Sequence, residues 1–247
     1  MKSRVNTIQG IATANGKPVV DSTGKLYVSY TTYTGATLVI HIASSTDEGK
    51  TWSDEQTWSY TETAFNTIPS LIVDYADKLH IAYVVGGISP LTLMLTIIYK
   101  TNESGTWSAD EVLSQVNATN NFPPVYLFVD TTGNIHCIIN TKGYGTYPTK
   151  YQAVYLKRTS GTWGAIEVVY GINQNMSFEE PAMDSNNILH LIWYSDGWGS
   201  YTTKQQVIYT YGTSGSWSTE QITDTNDENY ARNVVVDNSD IPHTIYW

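Results

Sequence analysis

Short runs rich in β-branched and aromatic side chains recur along the whole chain, separated by clusters of Gly, Asn, Asp, Ser and Thr. Leu79–Tyr83, Leu95–Tyr99, Leu189–Tyr194 and Val207–Tyr211 are examples. Such runs bounded by turn-forming residues predict strands rather than helices. One stretch, from Lys78 to Lys100, has no formal charge between its ends and is nearly long enough to span a bilayer. Gly86, Gly87 and Pro90 divide it into two strand-length halves, so it predicts a hairpin and not a membrane span.

Self-comparison shows one unit five times. Val-Val-Asp21-Ser-Thr-Gly-Lys-Leu-Tyr27 returns as Ile-Val-Asp74-Tyr-Ala-Asp-Lys-Leu-His80, and again around Asp130/His136, Asp184/His190 and Asp237/His243. The aspartates are 53, 56, 54 and 53 residues apart, and each precedes its His or Tyr by six. Trp52, Trp107, Trp163 and Trp217 follow the first four aspartates by 31, 33, 33 and 33 residues. Each unit reads as four antiparallel strands: a short strand ending in the Asp, a tight turn, a longer strand, a variable loop, a third strand, a turn with the Trp, and a fourth strand. Repeats of this size predict an all-β chain, a β-propeller of five blades of about 54 residues each, formed by one domain over 1–247. Residues 4–9 match the fourth strand, and 229–247 supply only the first two strands of the fifth unit. The expected closure therefore joins the N-terminal strand to the C-terminal pair, which removes exposed edges.

Ser45-Thr46-Asp47-Glu48-Gly49-Lys50-Thr51-Trp52 carries a further motif, Ser-x-Asp-x-Gly-x-Thr-Trp, with shortened remnants before Trp107, Trp163 and Trp217. Here the chain resembles the sialidase-like propellers with BNR (Asp-box) repeats, over nearly its whole length. The resemblance implies a structural role for Ser45, Asp47, Gly49, Thr51 and Trp52, on the face away from a sialidase active site. It also offers a rival reading, a fragment of a six-bladed propeller. It does not imply sialidase activity: that chemistry needs three arginines and an Arg-Ile-Pro motif. The chain has only Arg4, Arg158 and Arg232, with Val-Asn after Arg4.

Charge narrows the partners. With 13 Lys+Arg against 23 Asp+Glu the net charge is −10, which excludes the basic face that nucleic acid requires. An aromatic content of 13% excludes a disordered chain. The single Cys137 sits in an apolar run and reads as a small core residue. The four histidines at one repeat position read as scaffold, each bonded to its own Asp or to backbone, so no metal and no cofactor is expected. Met1–Asn6 lacks the apolar core of a signal peptide. The polar, Thr- and Tyr-rich surface nonetheless suggests an extracellular, cell-surface or virion-associated protein.

Binding residues are expected on the irregular loops, which a rigid scaffold leaves free to vary. Aromatic rings beside glycines, amides and carboxylates suit sugars: the ring stacks on C–H faces while the polar groups bind hydroxyls. The candidates are Tyr33, Tyr144, Tyr147, Phe178, Glu179, Glu180, Asp196, Trp198, Tyr201, Tyr230 and Arg232, with Trp198 foremost because Gly197 and Gly199 flank it. The expected function is a non-catalytic, lectin-like module for a carbohydrate or glycoconjugate. One alternative is a glycoside hydrolase or polysaccharide lyase using carboxylates of the same face, Asp227 and Glu228 included. The other is a protein-interaction or oligomer contact through Ile88–Met94.

Overall fold

A computed structural model describes residues 12–34, 37–61, 68–89, 92–117, 124–141, 150, 152–170, 177–178 and 180–247. The segment 4–9, and with it the expected closure, lies outside the described residues. Every regular element among those described is a strand, and no helix is long and apolar enough to cross a membrane. The chain divides into two compact units, Met1–Leu127 and Phe128–Trp247.

The first unit holds two sheets. Sheet I comprises β1 (Ala12–Asn15), β2 (Val19–Val20), β3 (Leu26–Thr34), β4 (Thr37–Ser45) and β5 (Ser53–Thr61), in the order β1-β3-β4-β5 with β2 also on β3. Sheet II runs in chain order through β6 (Ser70–Val73), β7 (Leu79–Ser89), β8 (Thr92–Thr101) and β9 (Glu111–Asn117). Sheet III contains β10 (Val125–Val129), in which the division between the units falls, then β11 (Ile135–Thr141), β12 (Gln152–Thr159), β13 (Thr162–Trp163) and β14 (Glu167–Tyr170). Sheet IV has β15 (Ser177–Phe178), β16 (Ala182–Met183), β17 (Leu189–Ser195), β18 (Gln206–Thr213) and β19 (Ser216–Gln221). Sheet V is the ribbon of β20 (Ala231–Val236) and β21 (Pro242–Tyr246).

The repeat therefore appears as antiparallel meanders, with strands longer than their apolar runs. The uncharged stretch after Lys78 is the β7–β8 hairpin, paired from His80↔Thr101 to Ser89↔Thr92. Thus Ile88, Ser89 and Thr92–Met94 are paired strand, in the hairpin that Gly86, Gly87 and Pro90 predict. The first strand of sheets I and IV is also broken into two pieces, β1 with β2 and β15 with β16.

The repeat Asp makes each first turn. One of its oxygens accepts the backbone N–H groups two and four residues on: Thr23 and Lys25 on Asp21, Ala76 and Lys78 on Asp74, Thr132 and Asn134 on Asp130. Asp184 and Asp237 repeat the pattern. Such local side-chain bonds stabilise a turn against competing strand structure. The other oxygen meets the residue six positions on: Tyr27 at 3.2 Å, His80 at 3.2 Å, His136 at 3.0 Å and His243 at 3.0 Å, with His190 looser at 3.4 Å. Three of the histidines carry the link onward to a tyrosine of the third strand, Tyr99, Tyr155 and Tyr209, at 2.6, 2.8 and 2.5 Å from Nδ1. The expectation that these histidines serve the scaffold holds; the tyrosine partner is new.

Joints between neighbouring sheets of a unit sit at the same turns. Asp77, Asn187 and Asp240 stand in the left-handed region, with φ of 56°, 66° and 60°. From there Asp77 accepts the backbone N–H and hydroxyl of Ser22, and Asp240 those of Ser185. Asn187 accepts Thr131 N–H and donates to its hydroxyl. The Trp markers add apolar joints: Trp107 packs edge-on to Trp58 at 4.9 Å, and Trp217 to Tyr155 at 5.4 Å.

The β4–β5 turn has the geometry its motif predicts. Ser45 Oγ accepts Gly49 N–H at 2.9 Å, Asp47 accepts the Thr51 N–H and hydroxyl at 2.8 and 2.7 Å, and Trp52 Nε1 donates to Gly49 O. These bonds hold the Asp47 carboxyl down at about 2. The core of the first unit gathers Leu38, Ile40, Ile42, Leu71, Leu79, Ile81, Tyr83, Val85 and Ile98 between sheets I and II. In the second, Ile192 and Val207 meet Ala231 and Val234 between sheets IV and V.

Candidate functional site

Sheet IV separates two ends. The tight turns 184–188 and 213–216 lie at one, where Glu167 of sheet III accepts Ser214 Oγ and Gly215 N. The longer connections 196–205 and 222–230 lie at the other and are bonded to each other. Gln206 organises them: its Oε1 accepts the Thr223 hydroxyl and Thr225 N–H at 2.9 and 3.2 Å, and its Nε2 donates to Thr225 O at 2.9 Å. Asn229 Nδ2 donates to Thr225 Oγ1 and to Asp227 O at 2.7 and 2.8 Å. Asp224 accepts Ser200 N and Oγ at 2.8 and 2.9 Å, while Glu228 accepts Gln205 N at 2.7 Å. Gly199, with φ of 60°, allows the close approach: a Cβ there would lie 2.5 Å from Asp224 Oδ1.

On this frame sit the aromatic side chains. Trp193 is fully buried, donates from Nε1 to Thr210 Oγ1, and touches both Trp198 and Tyr170 of sheet III, each with centroids 5.4–5.6 Å away. Trp198 also packs on Tyr170 at 5.6 Å and is half-buried. Its flanking glycines thus leave it folded down on two rings, where the sequence suggested a freely displayed side chain. Tyr201, on the same connection, is 40% exposed. On the opposite flank of β17, Tyr194 packs edge-on to Tyr230 at 5.1 Å, which adjoins Trp247, and the Arg232 guanidinium lies over Trp247 at 5.3 Å.

No family model matches the sequence, and no curated protein does. Solved structures do match. The α-L-arabinanase of Penicillium chrysogenum, complexed with arabinobiose, aligns with TM-score 0.62 and 13% identity, over 90% of this chain and 70% of that one. The GH93 α-L-arabinofuranosidase of Fusarium graminearum gives 0.59 and 12%, over 96% and 74%. A PL25 ulvan lyase gives 0.59 and 10%, over 89% of this chain and 58% of its own. These are β-propeller enzymes. The chain has the β-propeller fold. Of the expected likeness, the β-propeller fold is shown, and no family model matches to carry the sialidase-like or Asp-box part.

Of the propeller's candidate residues, Trp198, Tyr201, Asp196, Tyr230 and Arg232 are gathered around the long connections of sheet IV and the start of β20. Phe178, paired opposite Trp193, is 4% exposed and contributes from beneath, and Glu180 follows it, half-buried. Tyr33 belongs to the first unit, half-buried against its core. Tyr144, Tyr147 and Glu179 lie outside the described residues. The side chains of 88–94 do too. Sequence reasoning missed Gln206, Thr223 and Asn229, although the polar pair Gln205-Gln206 at the entry to a buried strand was a visible signal. It did not single out Asp224 and offered Glu228 as a carboxylate for hydrolysis or elimination, whereas both accept backbone N–H groups. An open groove of about 630 Å³ runs along sheet V, lined by Arg232, Asn233, Val235, His243, Thr244 and Ile245. Among the described residues no three His, Cys, Asp or Glu side chains gather as a metal would need.

Proposed function

We propose that this propeller binds a glycan at the loop end of sheet IV and cleaves its glycosidic links. The carrying observation is the connection 196–205, which carries Asp196, the half-buried Trp198 and the exposed Tyr201 and is tied by Asp224 and Glu228 to the segment 222–230 that Gln206 orders, with Glu180 in the same sheet between β15 and β16. Aromatic surface beside carboxyl groups is the combination that sugar recognition and acid–base cleavage both require. Neighbours in fold that act on arabinan or ulvan favour cleavage over the lectin-like reading. A polymeric substrate favours action outside the cell. The proposal includes a five-bladed count, supported by the fivefold recurrence of Asp and His or Tyr.

The test is release of reducing ends from a panel of plant and algal polysaccharides by wild type, Glu180→Gln and Tyr201→Ala. Loss of an acid–base carboxyl lowers the rate by roughly 10²–10⁴-fold. Loss of a stacking ring weakens binding by about tenfold with less effect on turnover. Retention without cleavage restores the lectin-like reading; neither binding nor cleavage defeats both.

A further inference from the structure

The charges at this loop end discriminate between kinds of glycan. In the second unit the connections and strand ends on this side of sheets III to V carry Asp196, Asp224, Asp227 and Glu228 against Lys150, Lys204 and Arg232, and Glu180 adds a carboxyl in the break between β15 and β16. Two of these cations are engaged: Lys204 Nζ lies 3.5 Å from Glu228 Oε1, and Arg232 covers the Trp247 ring. The whole chain adds a field of −10. A polyanion approaching this end meets like charge, which lowers both its encounter rate and its affinity.

We infer that the ligand is an uncharged glycan and, resting on the proposed cleavage, that the reaction is hydrolysis and not β-elimination. In elimination a base takes the C5 proton of a uronate, the C5–H electron pair becomes the C4=C5 bond, and the C4–O bond breaks with a proton going to the leaving oxygen. The charge that develops at C5 spreads into the substrate's carboxylate and needs positive charge beside it. An excess of carboxylates opposes that step. Hydrolysis makes no such demand. The water oxygen bonds to the anomeric carbon, the C1–O bond breaks, one carboxyl gives its proton to the leaving oxygen, and a second carboxylate receives the proton lost by water. The exposed face of Tyr201 suits the C–H face of a neutral ring.

The experiment offers the full chain linear arabinan, galactan and xylan beside polygalacturonate and ulvan. Retention in affinity gels, reducing ends, and the ultraviolet absorbance of unsaturated products are read together. The expected result is retention and cleavage of a neutral polymer without unsaturated product, with affinity changing less than about twofold up to ~0.5 M salt. Unsaturated product, or preferred retention of an anionic polymer, overturns the inference while leaving glycan cleavage standing. Retention of a neutral polymer without cleavage defeats the catalytic reading and upholds the neutral ligand. Retention of no polymer overturns both.

Discussion

Gln152 and Gln206 hold the same register position in two sheets, opposite Thr141 and Ser195, and both are buried. Gln206 spends its amide on Thr223 and Thr225, whereas neither amide atom of Gln152 has a hydrogen-bond partner among the described residues. A buried amide without partners costs about 1–3 kcal/mol, and removing a satisfied one leaves its partners with that cost. Opposite signs are therefore expected from one substitution. Gln152→Leu should raise unfolding stability by about 1 kcal/mol or more, and Gln206→Leu should lower it by about 1–3 kcal/mol. Denaturant midpoints at unchanged slope measure both, and equal shifts would contradict the assignment.

At the scale of the element, the connection 196–205 is held by its turns, Gly197 N to Thr202 O and Lys204 N to Tyr201 O, and by Asp224 and Glu228. Gly199→Ala adds a methyl against Asp224 at a φ that non-glycine residues rarely adopt. About 1–3 kcal/mol of local strain is expected. Faster hydrogen exchange at Gly197, Lys204 and Gln205 should report it, along with loss of glycan retention. Much of this element was legible in the sequence. The recurring Asp, His and Trp mark unit borders because each acts locally, in a turn or across one strand pair. Strand lengths were less legible, since pairing continues past the apolar run, as β7 does to Ser89. The tyrosines nineteen residues beyond each His were visible but unread. The packing of Trp198 on Tyr170 was not legible, because it joins side chains of two different sheets and no local spacing pairs them. An acid that anchors backbone and one that merely meets solvent, such as Glu228 and Asp227, look alike in sequence.

For the molecule as a whole, the relay Asp130–His136–Tyr155 makes stability depend on pH. Burial alone would raise the Asp130 carboxyl, but donors on His136, Asn134 and Thr132 outweigh it and hold the group well below the carboxylate range. Burial lowers His136, with Asp130 offsetting only part of that. A neutral His136 then donates from Nε2 to Asp130 and accepts the Tyr155 hydroxyl at Nδ1. Each group binds fewer protons folded than unfolded, so acid destabilises. The histidine contribution falls away below about pH 6.5 and the carboxylate contribution below about pH 4. Melting temperature should be level above neutrality and drop in those two windows. Asp130→Asn should melt lower at pH 7 and show a shallower loss in acid; a parallel acid limb would refute the coupling. In the second unit the joints made by Asn187 and Asp240 belong to the tight-turn side, away from 196–205 and 222–230. Fastening neighbours there separates what must stay from what can change: the long connections can be swapped or extended to fit another ligand while the frame beneath keeps its geometry.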